Sequence, residues 1–374
     1  MLVAGEASGD LHGAALCRAL RELDPGCRLF GMGGARMAAE GMKLLVDVTA
    51  KAAVGGGREA FGQVPRLYRA YRELRALLEG AERPAVLVLI DFPEFNLRLA
   101  RAARRAHVPV VYFIPPQIWA WRGGRVKTIR RLVSLVLAVF PFEAPLYRRA
   151  GVPVEFVGHP LLDQLQAAPT REAARRRLGI DDRTTVIGLL PGSRHQEVVG
   201  VLPAMRDAAA EVLRTAPGTR FVLGLAPTIE RELVAHHLVG GPPVEIVEGQ
   251  SHAVIRAADL ALVTSGTVTL EAALLGTPMV VCYRLSFLTE LFIRLLIRVP
   301  WMSLANLTLG RAVVPELVRP ATMSQSLARE ALRLLTDAAA REAQCAAFGE
   351  LAGQLGEPGV GTRAARLVLA TADA

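Results

Sequence analysis

The sequence lacks a long hydrophobic run, and this lack excludes one class of proteins. A helix that spans a bilayer needs about 20 consecutive apolar residues, and no such stretch occurs. The longest apolar runs, such as 132–142, are short and are bounded by charge or proline, which is typical of buried strands. The N-terminus also lacks the basic segment, apolar core and cleavage site of a secretory signal.

Cysteine and lysine are scarce. The four cysteines are scattered, without the spacing of a zinc site or of a disulfide framework, so we expect a reducing cytoplasm. Only three lysines occur, and the net charge of +9 therefore comes from arginine. Many arginines recur at helical spacing beside alanine, as in 98–107, which favours a solvated helix face over a nucleic-acid surface. A cationic surface of this kind equally suits anionic lipid headgroups or phosphorylated substrates.

Several catalytic motifs are also missing. The sequence has no Walker P-loop, no paired-cysteine zinc site and no Gly-x-Ser-x-Gly elbow. It has no Asp-x-Asp either, which removes the usual metal site of sugar transferases with one Rossmann fold. We therefore expect no metal and no cofactor. A leaving diphosphate would then depend on arginine and helix-end N–H groups.

What the chain does have is a regular alternation of strands and helices, which predicts parallel α/β architecture. The predicted strands are 1–5, 27–33, 85–91, 109–114, 135–140, 154–158, 185–193, 220–225, 244–249, 260–266 and 279–284. A polar helical segment at 166–184 interrupts them. We predict two Rossmann-like domains, 1–160 and 161–345, and a C-terminal helix at 346–374 that packs on the first domain or on a partner subunit. Because the first strand has only four residues before its glycine, it is either short or begins upstream of Met1.

Ligands of open α/β sheets bind where strands end and helices begin. In the first such loop, Ser8 and Asp10 suit the capping of the next helix, whereas the Glu6 carboxylate needs partners just past a buried strand. In a later loop, Asp91 ends a strand of the same predicted sheet. Partial burial would make it a better proton acceptor for a sugar hydroxyl. The spacing alone leaves open whether Asp91 is a base or a helix cap.

Two loops of the second predicted domain suit a nucleotide diphosphate. Each follows a strand and supplies small or basic residues at its tip: Ser193, Arg194, Ser265, Gly266 and Thr267. Backbone N–H groups of the Ser265–Thr267 turn can hold phosphate oxygens, and Glu271, one turn later, can accept hydrogen bonds from ribose hydroxyls. A capping turn followed by a surface glutamate has the same pattern.

Two further segments suggest contact with a membrane. Within 287–302, apolar residues that include Leu291, Phe292 and Leu295 recur at helical spacing, so this helix is either core or interfacial. Within 117–131, two tryptophans occur among basic residues. The residues concerned are Trp119, Trp121, Arg122 and Arg125. This combination suits the headgroup level of a bilayer or the rim of a binding cleft.

Nine segments together resemble one family along essentially the whole chain. They are 3–10, 31–41, 91–96, 114–129, 139–143, 157–163, 190–197, 264–284 and 303–311. They resemble lipid-A-disaccharide synthases, sugar transferases of the GT-B type with two Rossmann-like domains and a cleft between them. The sequence departs from the family pattern at the glycine-rich segment 52–64 and at Ala305, where proline is usual.

The resemblance implies an inverting, metal-independent glycosyltransferase on the cytoplasmic face of the inner membrane. It implies transfer of 2,3-diacylglucosamine from its UDP form to 2,3-diacylglucosamine 1-phosphate, which gives a β-1,6-linked lipid A precursor and UDP. Asp91 would be the general base, with Glu6 and Asp10 as the other catalytic candidates. Arg194 and the Ser265–Thr267 turn would hold the diphosphate, with Ser193 beside them and Glu271 on the ribose. Asn306 would face the donor sugar or its phosphates.

The same resemblance implies that the partners are the two acylated sugars and an anionic membrane surface, with a homodimer as an option and no nucleic acid. Other enzymes remain as alternatives, namely a UDP-N-acetylglucosamine 2-epimerase or the lipid-linked peptidoglycan transferase. An epimerase of soluble substrates would not need the two membrane segments, and the peptidoglycan transferase is expected to carry a different glycine-rich phosphate loop. A non-catalytic sugar-nucleotide-binding membrane protein is the third alternative. The presence of Glu6 and Asp91 together with Arg194 and Glu271 argues against it.

Overall fold

The protein is described by a computed structural model over residues 1–47, 58–81, 83–116, 124–284, 301–318 and 322–373, without the side chains of residues 58–64. Some predicted contact residues lie outside the described residues: Trp119, Trp121, Arg122, Leu291, Phe292 and Leu295. The chain forms two compact units. The first comprises Met1–Asp163 with Leu355–Ala374, and the second comprises Gln164–Gln354.

The strands are parallel throughout the described pairings. They are β1 (Leu2–Ala4), β2 (Phe30–Gly33), β3 (Lys43–Asp47), β4 (Leu87–Ile90), β5 (Val110–Phe113), β6 (Leu135–Ala138), β7 (Val154–Phe156), β8 (Val186–Leu190), β9 (Arg220–Leu225), β10 (Val244–Glu248), β11 (Leu260–Thr264), β12 (Met279–Cys282) and β13 (Glu316–Leu317). Six of the described strands are largely apolar and buried along their whole length, because helices cover both faces of the sheets; these are β1, β4, β5, β8, β11 and β12.

The helices of the described residues follow the same alternation. They are α1 (Ala7–Leu23), α2 (Ala35–Ala39), α3 (Arg58–Glu79), α4 (Pro93–Arg105), α5 (Arg125–Leu132), α6 (Glu143–Arg149), α7 (Leu161–Gln164), α8 (Arg171–Arg177), α9 (His195–Thr215), α10 (Arg231–Leu238), α11 (Ser251–Ala257), α12 (Val268–Leu274), α13 (Leu304–Leu309), α14 (Met323–Thr336), α15 (Ala338–Gln354) and α16 (Val360–Ala372). Among these helices, none has the length and apolar character that crossing a bilayer requires.

The first unit is a seven-stranded sheet in the order β3-β2-β1-β4-β5-β6-β7. Apolar residues of α3, α4, α5 and α6 form one core with the sheet. Helices α1 and α16 pack on each other. The C-terminal helix therefore belongs to the first unit, where the Asp163 carboxylate accepts hydrogen bonds from Gly359 and Gly361.

The second unit repeats the arrangement with six strands in the order β10-β9-β8-β11-β12-β13. Its core lies between this sheet and helices that include α9 and α14. The two-domain α/β architecture was predicted from the alternation of strands and helices. The boundary placed at 345 falls inside α15, because this continuous helix belongs to the second unit as far as Gln354.

Strand order reverses once in each sheet, and this reversal decides where ligands can bind. The chain moves outward from β1 through β2 to β3 and then returns to place β4 on the other side of β1. It does the same at β8 and β11 in the second sheet. At such a point the connections diverge to opposite faces and leave a crevice beyond the carboxyl ends of the two strands. Each unit therefore has one preferred ligand-binding edge.

Candidate active site

In the first unit, the loops that follow β1 and β4 meet at the reversal point. A Cβ atom on Gly5 would lie only 2.1 Å from the ring of Phe92. The ring therefore packs directly on Gly5 and leaves no room for a side chain there. This contact brings the Gly5–Glu6 turn beside the Asp91–Phe92 turn. The fold thus brings the loops of two predicted catalytic residues, Glu6 and Asp91, to one edge of the sheet.

Asp91 and Phe92 both have a left-handed backbone, with φ of 48° and 46°. This conformation costs an L-residue about 1–2 kcal/mol, so the surroundings must hold it. The carbonyl oxygen of Asp91 accepts hydrogen bonds from the Tyr112 hydroxyl at 2.8 Å and from Asn96 Nδ2 at 2.6 Å. The N-cap of α4 is Phe92, so the structure does not support Asp91 as the cap of that helix.

Charged and polar groups surround Tyr112 beneath this turn. Burial, and secondly the charge of Asp91, raise the pKa of Tyr112 well above its usual value, with Glu94 also contributing. The Tyr112 hydroxyl is therefore a permanent hydrogen-bond donor. Arg125, predicted to contact the acceptor or the membrane, forms an ion pair with Glu94. Arg125 thus belongs to the Asp91 edge.

Asp10 has a structural role that the sequence analysis did not predict. Its carboxylate is buried and accepts hydrogen bonds from the backbone N–H groups of Gly34 at 2.8 Å, Arg36 at 3.1 Å and Met37 at 3.1 Å. It therefore caps α2 and not its own helix. Three fixed donors leave this carboxylate ill suited to act as a base. Ser8 was also predicted as a cap, but Glu6 occupies the N-cap position of α1.

In the second unit, the loops that follow β8 and β11 also meet. A Cβ atom on Gly192 would lie 3.1 Å from the side chain of Thr264 at the end of β11. The Arg194 side chain is 69% exposed and lies 3.2 Å from Glu197. Its guanidinium is therefore available to a ligand at this edge.

The backbone N–H groups of the β8 loop are already engaged. Those of Ser193 and Arg194 donate to Glu197 Oε2 at 3.1 and 3.2 Å. These two N–H groups are therefore not free to bind a diphosphate. The negative carboxylate of Glu197 already occupies the place that an anion would take. Arg194 can contribute only its side chain here.

The Ser265–Thr267 turn at the end of β11 is more open. Gly266 has φ of 147°, and among the described residues no atom beyond its two chain neighbours lies within 4 Å of a Cβ placed on it. The Ser265 hydroxyl donates to the carbonyl of Met302 at 3.0 Å, so its proton is not available to a phosphate. Thr267 is exposed and precedes α12. The turn can therefore approach a ligand closely through its backbone.

Glu271, one turn into α12, is paired with a residue that the sequence analysis missed. His252 Nε2 lies 3.3 Å from Glu271 Oε2. Only the packing of α11 beside α12 brings the two together, so no sequence spacing could have indicated the pair. The Glu271 side chain is 19% exposed, which leaves room for a hydroxyl donor.

Asn306 was predicted to face the donor sugar or its phosphates, and the structure contradicts this. The side chain is fully buried. Its Nδ2 donates to Val314 and to Glu316, and its Oδ1 accepts from the N–H groups of Val313 and Val314. All of its hydrogen-bonding capacity is used within the protein. Asn306 therefore shapes the segment 302–316 and does not touch a ligand.

The Glu316 carboxylate completes this network. It also accepts hydrogen bonds from the N–H groups of Met302 at 2.8 Å and Ser303 at 3.2 Å. Since Ser265 bonds to the carbonyl of Met302, the network reaches the open turn after β11. Within the described residues, no cluster of three or more His, Cys, Asp or Glu side chains could hold a metal ion.

Comparisons with known proteins agree with this architecture. A family model described as lipid-A-disaccharide synthetase matches residues 1–357. A lipid-A-disaccharide synthase of Myxococcus xanthus (strain DK1622) is 44% identical over 372 residues, covering 99% of this chain and 96% of that protein. The protein of the same name from Geobacter sulfurreducens (strain ATCC 51573 / DSM 12127 / PCA) is 42% identical over 370 residues, with the same coverage.

Solved structures show similarity of fold at low identity. The S. aureus MnaA–UDP structure has a TM-score of 0.68 at 12% identity, covering 97% of this chain and 94% of that chain. The UDP-GlcNAc 2-epimerase of Neisseria meningitidis bound to UDP-GlcNAc has a TM-score of 0.59 at 14% identity, covering 99% of this chain and 98% of that chain. At such identities the structures indicate the fold alone.

Proposed function

Because the chain belongs to the lipid-A-disaccharide synthase family of UDP-sugar glycosyltransferases, we propose a specific transfer for it. The donor is UDP-2,3-diacylglucosamine and the acceptor is 2,3-diacylglucosamine 1-phosphate. The products are the β-1,6-linked disaccharide 1-phosphate and UDP. The observation that carries the proposal is the difference between the two reversal points. Acidic residues lie at the one in the first unit, and an exposed arginine and an open turn lie at the one in the second unit.

Asp91 is the general base of this proposal. Its carboxylate takes the proton of the acceptor 6-hydroxyl as the oxygen attacks the anomeric carbon of the donor. The bond from that carbon to the UDP oxygen breaks on the opposite side, so the configuration inverts. General-base catalysis of this kind contributes about 10²- to 10⁴-fold. Glu6 is half-buried beside the Asp91 turn and is the second acidic group at this edge.

The second unit holds the leaving group. The Arg194 guanidinium and the backbone of the Ser265–Thr267 turn stabilise the charge that develops on the diphosphate, without a metal ion. Glu271 accepts hydrogen bonds from the ribose hydroxyls, and His252 orients its carboxylate. Ser193 contributes through its exposed side chain, since its N–H is bonded to Glu197.

The protein works at the cytoplasmic face of the inner membrane, bound through a cationic surface of the first unit. From Arg98 to Arg149 the sequence has eleven arginine or lysine residues and one acidic residue, Glu143, which is buried. The exposed cations of α5 and α6 are Lys127, Arg130, Arg131, Arg148 and Arg149. Such a surface attracts anionic lipid headgroups at about 1 kcal/mol per cation near the membrane.

One assay tests the reaction. Purified protein is incubated with both acylated sugars and EDTA, and UDP release and disaccharide are both measured. We expect UDP and disaccharide in equal amounts, and neither product when the acceptor is omitted. UDP release without acceptor would indicate hydrolysis of the donor. No UDP above background from folded protein would refute the transferase proposal.

A further inference from the structure

We propose that Tyr112 and Asn96 are positioning residues for the Asp91 carboxylate. This inference rests on the proposed role of Asp91 as the general base. Neither residue touches a substrate in the proposal. They act by fixing the strained backbone from which the carboxylate projects, at the edge of the sheet where β1 and β4 end.

The strain is concentrated at the two residues that follow β4. Asp91 and Phe92 are consecutive left-handed residues, and neither is glycine. Phe92 also precedes Pro93, whose ring favours an extended backbone at the preceding residue, and the left-handed conformation of Phe92 departs from that preference. Such conformations are strained and persist only where the surroundings enforce them. A turn without restraints would relax and would carry the Asp91 carboxylate elsewhere.

Two buried donors converge on a single oxygen to enforce this turn. The Tyr112 hydroxyl and Asn96 Nδ2 both donate to the carbonyl oxygen of Asp91, and Asn96 Nδ2 also lies 3.2 Å from the carbonyl oxygen of Ile90. Both side chains are fully buried. A hydrogen bond between buried groups is costly to lose, because no water replaces the missing partner. The carbonyl is thereby held in place.

The oxygen of the Asn96 amide indicates which of its hydrogen bonds the structure favours. Its Oδ1 is buried and has no hydrogen-bond partner among the residues that the structure describes. An unpaired buried acceptor destabilises the folded protein, so this amide is not optimised for stability. Turning the amide over would place Oδ1 against two carbonyl oxygens, which is worse. The side chain therefore keeps its donors on the Asp91 turn at the expense of its acceptor.

Aromatic packing restrains the same turn from the other side. The Phe92 ring stacks on Phe95 with centroids 5.7 Å apart and also covers Gly5. Gly5 immediately precedes Glu6, so the strained turn sets the spacing between the two acidic loops. Hydrogen bonds fix the carbonyl of Asp91, and ring packing fixes the following residue.

A double-mutant cycle of Tyr112→Phe and Asp91→Asn tests the inference. We expect Tyr112→Phe alone to lower kcat tenfold or more and to leave the KM of both sugars within twofold. In the Asp91→Asn background, the same change should have no further effect on the residual rate, because no carboxylate remains to be positioned. Asn96→Leu, which removes the donors at similar volume, should behave like Tyr112→Phe.

The control is Tyr147→Phe, which removes another buried hydroxyl, one that donates to the carbonyl of Pro116 at 3.2 Å. We expect this variant to lose a similar amount of stability and to keep its kcat. An equal loss of kcat from Tyr112→Phe in both backgrounds would indicate a general structural role and overturn the inference. Full kcat in Tyr112→Phe beside an inactive Asp91→Asn would overturn it too. Full turnover in Asp91→Asn would instead refute the base assignment itself.

Discussion

Two aspartates of the first unit, Asp10 and Asp91, follow neighbouring strands of one sheet, yet the structure gives them different surroundings. Three backbone N–H groups surround the buried Asp10 carboxylate. At Asp91 the structure restrains the backbone carbonyl and leaves the side chain only half-buried. The sequence indicated both as acidic residues near strand ends. The sequence could not distinguish their roles, because the N–H groups that donate to the Asp10 carboxylate follow β2, more than twenty residues along the chain.

The capping role of Asp10 predicts a loss of stability. In Asp10→Asn, an amide N–H₂ group would face at least one of the backbone donors of α2. We expect the free energy of unfolding to fall by about 2 kcal/mol, as for loss of a hydrogen bond to a charged group. Denaturant unfolding would measure this. Asp24→Asn is the control, since Asp24 accepts one exposed backbone bond. An unchanged midpoint in Asp10→Asn would contradict the role.

His159 predicts how stability depends on pH. Burial, and secondly nearby His12, lower the pKa of His159 from 6.5 to about 3, and its Nδ1 accepts a hydrogen bond from the N–H of Leu161. Below pH 6.5 the unfolded chain therefore binds a proton that the folded protein does not. Between pH 6.5 and 4.5 the free energy of unfolding should fall by about 2 kcal/mol through this residue alone. His159→Asn, which keeps an acceptor, should show a shallower dependence. An equal slope in both proteins would contradict the assignment.

Among the secondary-structure elements, the strands that could be predicted from the sequence are the long apolar ones. The two strands that were not predicted, β3 and β13, lie at the edges of the sheets. β3 begins with Lys43, ends with Asp47 and is only half-buried, so its sequence lacks the apolar run of a central strand. β13 has two residues. The role of Asn306 could not be predicted either, because its partners lie on a segment whose course depends on β13 pairing with β12.

The network around Glu316 predicts an effect on nucleotide affinity. Glu316 holds the N–H of Met302, whose carbonyl accepts the Ser265 hydroxyl, so the carboxylate supports the proposed diphosphate turn. In Glu316→Gln we expect the Kd for UDP to rise about tenfold, or 1.4 kcal/mol. Titration calorimetry would measure it. Glu350→Gln, which breaks a surface ion pair of the same unit, is the control. An unchanged Kd in Glu316→Gln would contradict the connection.

At the scale of the molecule, the charge of the first unit predicts how the protein binds membranes. Arg130 and Arg131 are adjacent exposed residues of α5, and Arg176 and Arg177 are an equivalent pair on α8 of the second unit. Changing the first pair to glutamate should abolish cosedimentation with vesicles of 30% anionic lipid at low salt. The same change in the second pair should leave it intact. Equal binding by both variants would refute the proposed surface.

We propose that the first unit supplies the general base and the second unit binds the diphosphate. The most direct test of this assignment is to measure UDP affinity and turnover on two variants side by side. Asp91→Asn should bind UDP like the unaltered protein and lose turnover by about two or more orders of magnitude. Arg194→Ala should raise the Kd for UDP at least tenfold, since it removes the exposed guanidinium from the second reversal point. Undiminished turnover in Asp91→Asn, or an unchanged UDP affinity in Arg194→Ala, would contradict the account.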